Sequence, residues 1–223
     1  MNNIKTFENF NKQGIFTYID SDDIQLVKNY INSGYDLNIQ DNYGDTPLIF
    51  ASRCDNIEIF KLLLNYGASI NEQNKRGNTA LIRAAYNNNC EIVELLLNAG
   101  ANINVQNVNG STPLIAASSG NIEVVKLLLN AGADIDKQDE NGYTALIHAA
   151  YENNKEIVEL LLDYHADEFI LTNNDDSFYD YLTDENKQYF LKEYPNKVYN
   201  AIYHDYKKSF TEFVKDYKIK NFY

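Results

Sequence analysis

Four threonines, Thr46, Thr79, Thr112 and Thr144, each open nearly the same word, and they recur at intervals of 33, 33 and 32 residues. The words are "TPLIFASRCDN", "TALIRAAYNNN", "TPLIAASSGN" and "TALIHAAYENN". A period in this range predicts stacked copies of one supersecondary unit, each covering the apolar face of the next. Within the frame T-[P/A]-L-I-x-A one letter varies without regard to size or charge: Phe50, Arg83, Ala116, His148. His148 is therefore one member of a variable column and not a catalytic histidine.

Each copy reads the same way physically. A turn comes first ("DNYGD", "NKRGN", "NVNGS", "DENGY"), with Gly44, Gly77, Gly110 and Gly142 at a place that suits positive φ. Thr follows as helix N-cap, twice with Pro at the first helical position (Pro47, Pro113). Small residues such as Ala84, Ala85, Ala117, Ala149 and Ala150 then allow close packing of a short helix. A second helix carries an apolar stripe ("NIEIFKLLLNYG", "CEIVELLLNAG", "NIEVVKLLLNAG", "KEIVELLLDYH") and stops at Gly67, Gly100 and Gly132.

With these words on the page, residues 41–171 resemble four ankyrin repeats, at 41–73, 74–106, 107–138 and 139–171. The resemblance rests on T-[P/A]-L, on E-[I/V]-[V/F]-x-L-L-L and on the exit G-A-[S/N/D]-I-[N/D]. It implies an all-α solenoid of helix–turn–helix repeats with β-hairpin-like loops, used to bind proteins and not to catalyse. One departure is steady: Ile49, Ile82, Ile115 and Ile147 stand where the family usually has His, exchanging a polar link for apolar packing.

Both ends continue the pattern more faintly. Residues 1–40 read as an N-terminal capping repeat beginning near Phe7, with Gly34 in register with Gly67. Residues 172–194 read as a degenerate capping repeat, with Ser177 lying 33 past Thr144. Such atypical ends are expected because nothing beyond them covers their outer face. His165 takes the place of a helix-stopping glycine, and the period slips by one between Ala117 and Asn121, which predicts a shorter turn there.

Composition narrows the function. A net charge of −13 disfavours nucleic acid and anionic membranes, both of which reward clustered basic residues. No apolar run approaches the ~18 residues of a membrane span, and the first residues lack a signal-peptide core. An intracellular, cytoplasmic protein with reduced Cys54 and Cys90 is expected, in a host cytoplasm if it comes from a virus or intracellular bacterium. The Asn-, Ile-, Lys- and Tyr-rich usage resembles coding from such G- and C-poor genomes. No phosphate-binding, zinc or nucleophile motif is present, so no cofactor, metal or catalytic residue is expected.

In ankyrin arrays the variable column and the loop tips line the concave side. That surface here comprises Tyr43, Asp45, Phe50, Arg53, Arg76, Arg83, Tyr86, Ser111, Tyr143, His148 and Tyr151, with Ala116 and Ser119 leaving a recess. All three arginines of the chain lie on it, interleaved with aromatics. Arginine and aromatic residues dominate interface energetics, and arginine pairs with carboxylates. A protein partner offering an acidic or carboxylate-bearing segment is expected.

The last segment, 195–223, carries aromatics at helical spacing: Tyr199, Tyr203, Tyr206, Phe210, Phe213 and Tyr217. Such a helix serves either to cap the last repeat, to recruit a second protein as in an adaptor or effector, or to self-associate.

Overall fold

The computed structural model describes residues 14–54 and 56–198. Residues 14–20 are helical, followed by α1 (Ile24–Asn32) and then four helix pairs. The pairs are α2 (Pro47–Ala51) with α3 (Ile57–Asn65), α4 (Ala80–Tyr86) with α5 (Cys90–Asn98), α6 (Pro113–Ala117) with α7 (Ile122–Asn130), and α8 (Ala145–Tyr151) with α9 (Lys155–Asp163). α10 (Asp184–Glu193) and a helical stretch at 195–198 close the described chain, and no strand occurs among the described residues.

Helices of five to nine residues are too short to persist alone, so packing must hold them. Every second helix buries the same three positions: Ile59, Phe60 and Leu63; Ile92, Val93 and Leu96; Val124, Val125 and Leu128; Ile157, Val158 and Leu161. Full burial of each such side chain is worth about 1.5–3 kcal/mol. The first helices start where the sequence expects. Each threonine hydroxyl accepts the N–H three residues on, from Ile49, Ile82, Ile115 and Ile147 at 3.1–3.3 Å, and each cap contributes about 1 kcal/mol. Those same isoleucines are all buried, and Ile49, Ile115 and Ile147 belong to the continuous core.

The first helices alternate in length. In α2 and α6 the next residue is Ser52 or Ser118, whose hydroxyl donates to the carbonyl of Ile49 or Ile115 at 2.6 and 2.7 Å. This back-bonding competes with continuation of the helix. In α4 and α8 alanine stands there instead, and both helices run two residues further, to Tyr86 and Tyr151.

Polar ladders tie the copies together at the turns. The side chain of Asp41, Asn74, Asn107 or Asp139 accepts two backbone N–H groups of its own turn. Each tip donates one N–H to the tip before it: Lys75 to Tyr43, Val108 to Arg76, Glu140 to Asn109 and Asn173 to Asn141, at 3.0–3.1 Å. The side-chain amides of Gln73, Gln106 and Gln138 each span two repeats, the last reaching the Leu171 carbonyl.

The fourth of these tip bonds shows that residue 172 opens a fifth turn. Thr172 accepts from Asn174 and Asp176 as its predecessors do, but the first helix after it is reduced to hydrogen-bonded turns. α10 then covers the apolar end with Phe190 and Leu191, joined by Phe178, Tyr179 and Leu182. Asn153 accepts hydrogen bonds from Asn186 at 2.7 Å and from the Thr183 hydroxyl at 3.3 Å. Val198 is buried, and Lys197 pairs at 2.8 Å with the nearly enclosed Glu168.

His165 adopts φ 65, the left-handed conformation its position in the repeat requires. The turn between α6 and α7 is one residue short of that between α2 and α3. What it lacks is the left-handed residue that Asn88 and Asn153 supply in the second and fourth repeats. The Asn88 side chain accepts the Asn121 N–H at 2.8 Å across that gap. The start near Phe7 and the tail stripe Tyr199, Tyr203, Tyr206, Phe210, Phe213 and Tyr217 lie outside the described residues.

Candidate functional site

The variable column lies where the short helices turn away from the core. Leu and the second small residue of each frame are buried, while Arg83, Ala116 and His148 are half-buried and lie on the groove side. Three residues further on, Arg53, Tyr86, Ser119 and Tyr151 are exposed, Tyr86 by 66% and Tyr151 by 58%. The exposed tyrosines both come from the longer helices, α4 and α8, two repeats apart.

Between them lies a groove of about 650 Å³. Its floor is the third repeat: Asn107, Asn109, Ser111, Ile115, Ala116 and Ser119. One wall is the second repeat, with Arg76, Asn78, Ile82, Arg83 and Tyr86; the other is the fourth, with Asp139, Glu140, Asn141 and His148. The small side chains of Ala116 and Ser119 create the recess, since their counterparts in the neighbouring repeats are Arg83, Tyr86, His148 and Tyr151.

The two walls differ in charge. None of the three arginines forms an ion pair among the described residues. Arg83 Nε is enclosed without a hydrogen-bond partner among the described residues, and so is His148 Nδ1 across the groove. An enclosed polar atom left unmatched costs about 1–3 kcal/mol. The opposite wall carries Asp139 and Glu140, and an aromatic cluster packs behind His148. Tyr143 packs edge-on to His148 and Tyr151 at 5.8 and 6.1 Å between ring centres, and its hydroxyl donates to Tyr181 at 3.0 Å. Tyr181 donates to Asp176 at 2.9 Å and packs on Tyr151 at 5.7 Å. Burial first, then these bonds with Tyr143 and Asp176, hold the Tyr181 phenol above its ordinary pKa.

Three of the residues expected at the partner surface are corrected. Phe50 is only 7% exposed, because Phe16 of the N-terminal helix packs edge-on against its ring at 5.5 Å. The Arg53 guanidinium lies over the same ring at 4.0 Å, so it belongs to the N-terminal end and not to the groove. Asp45 is 1% exposed and accepts from the Asn74 amide at 2.6 Å, a link between tips. Of the remaining expected residues, Arg76, Arg83, Tyr86, Ser111 and His148 line the groove. Tyr43 is exposed beyond it, while Tyr143 and Tyr151 sit in the aromatic cluster at its far end.

Tyr181 was not among the expected residues. It stands four after Ser177, as His148 stands four after Thr144, so it is the fifth member of the variable column. Carrying the register one copy further finds it. Cys54 and Cys90 are half-buried and join no disulfide among the described residues, and no described cluster of His, Cys, Asp or Glu has the makings of a metal site.

A family model for ankyrin repeats, in three copies, matches residues 16–107 and 99–173. The chain belongs to the ankyrin-repeat family. No curated protein matches it. Ankyrin repeats are in general protein–protein interaction modules and typically not enzymes. No helix among the described residues of this ankyrin protein is long and apolar enough to cross a membrane.

Proposed function

We propose that this ankyrin protein is a non-enzymatic binding module that takes a segment of a partner protein in the groove over its third repeat. The observation that carries this reading is the pairing of Arg83 and His148. The two residues line one open recess floored by Ala116 and Ser119 from opposite walls, and each keeps an enclosed nitrogen without a partner among the described residues. Arg76 and Arg83 favour a carboxylate in the partner, and Tyr86 supplies the rigid aromatic contact that interfaces favour. Cys54 and Cys90, half-buried and in no disulfide among the described residues, suit a reducing, intracellular setting. The packing of Val198 and the Lys197–Glu168 pair supports a capping role for the start of the tail over recruitment of a second protein.

The test is affinity capture from native-cell lysate with wild type and an Arg76→Ala, Arg83→Ala, Tyr86→Ala variant of unchanged helicity. Selective loss of captured proteins with the variant is the expected result. Full retention removes the groove from consideration.

A further inference from the structure

The groove is not uniformly basic. Its second-repeat wall carries Arg76 and Arg83, and its fourth-repeat wall carries Asp139 and Glu140. Glu152, which caps the end of α8 beside Tyr151, is a further exposed acid of the same repeat, outside the groove lining. Asp139 is committed through one oxygen to its own turn, whereas Glu140 and Glu152 are exposed and form no ion pair among the described residues. Two of the three arginines thus line one wall of the groove, and the exposed, unpaired Glu140 lines the other.

We propose that the groove reads the order of charge along its ligand. It takes an extended protein segment with an acidic residue against Arg76 and Arg83 and a basic residue against Glu140 and Glu152. A short uncharged stretch crosses Ala116 and Ser119 between them. This rests on the groove being the partner site. A uniformly acidic segment would meet Glu140 and Glu152 with like charge, and like charges brought together at an interface are strongly disfavoured. Arginine suits the far end better than lysine, because the exposed Tyr151 beside Glu152 offers a ring for the guanidinium.

The spacing follows from geometry. Packed helices lie about 8–10 Å apart, so the second and fourth repeats are separated by about 16–20 Å. An extended chain covers about 3.3 Å per residue, which places the acidic and basic residues about five or six positions apart.

Selection of a phage-displayed random dodecapeptide library on the immobilised full chain tests this. Selection is repeated on a Glu140→Lys, Glu152→Lys variant and on an Arg83→Ala, Tyr86→Ala variant, each checked for wild-type melting and helicity. Wild type is expected to enrich peptides with an acid and a base about five or six residues apart. The glutamate variant should bind those peptides about tenfold or more weakly and enrich acid-only peptides in their place. Acid-only winners on wild type, lost on the Arg83→Ala, Tyr86→Ala variant, overturn the charge order and leave the groove as the partner site. Winners indifferent to that variant, or no winners at all, overturn both.

Discussion

The tips of the four full repeats and the tip that closes the array share one hydrogen-bonded turn yet differ at one residue. Gly44, Gly77, Gly110 and Gly142 have φ between 71° and 82°, and the next repeat's backbone lies 2.7–2.8 Å from where a Cβ would stand. At the closing tip the same position is Asp175, with φ 65. The backbone conformation is common to all five; the close approach belongs to the four that have a successor. A second glycine column makes the converse point. Gly67, Gly100 and Gly132 also have positive φ, but nothing lies within 4 Å of a Cβ there, and the last copy carries His165. Glycine thus serves conformation alone at the helix stops, and conformation plus inter-repeat contact at the tips.

Substitution separates these two uses. Gly110→Ala meets both left-handed strain and a backbone clash, and is expected to cost about 3 kcal/mol in urea denaturation. Gly132→Ala meets strain alone and should cost about 1 kcal/mol. Equal costs would break the distinction. Next in size, His165→Gly relieves left-handed strain at an open site and should raise stability by about 1 kcal/mol, seen as a higher denaturation midpoint.

The closing unit can also be loosened by itself. Asn186→Ala removes its hydrogen bond to Asn153. A loss of about 1 kcal/mol is expected, with faster amide exchange in α10 and unchanged exchange in α4 and α5. Equal acceleration in both would mean that the cap and the interior open as one.

The smallest effect concerns pH. The folded state raises the Tyr181 pKa, so it favours the protonated phenol. The resulting stabilisation is complete below the ordinary tyrosine value of about 10 and is lost as pH rises above it. Tyr181→Phe should therefore flatten the fall of stability above pH ~10 in alkaline denaturation; an unchanged slope would place the titration elsewhere.

What the sequence could and could not convey follows from the range of the contacts. Thr46, Thr79, Thr112 and Thr144 act through their own helices, and Gly110 reports its own φ, so both were legible in a single copy. Phe50 was misread because Phe16, which covers it, lies in a different unit with no repeat word. Asp45 was misread because its partner, Asn74, sits 29 residues away. Tyr181 was overlooked because the fifth copy replaces Thr with Ser and reduces the first helix to turns. The groove's recess was visible as Ala116 and Ser119 between bulkier neighbours. The placement of Arg76 and Arg83 opposite Asp139 and Glu140 emerged only when the repeats were stacked.

The central claim, that the groove over the third repeat is the partner surface, is tested most directly by site-specific photo-crosslinking in native-cell lysate. A photoreactive benzoylphenylalanine is placed at Ser119 on the groove floor or at Tyr66, which is exposed outside it. The account predicts a discrete protein adduct from position 119, absent from position 66 and lost when Arg76 and Arg83 are replaced by Ala. An adduct from position 66 alone, or one from position 119 indifferent to the arginines, would contradict it.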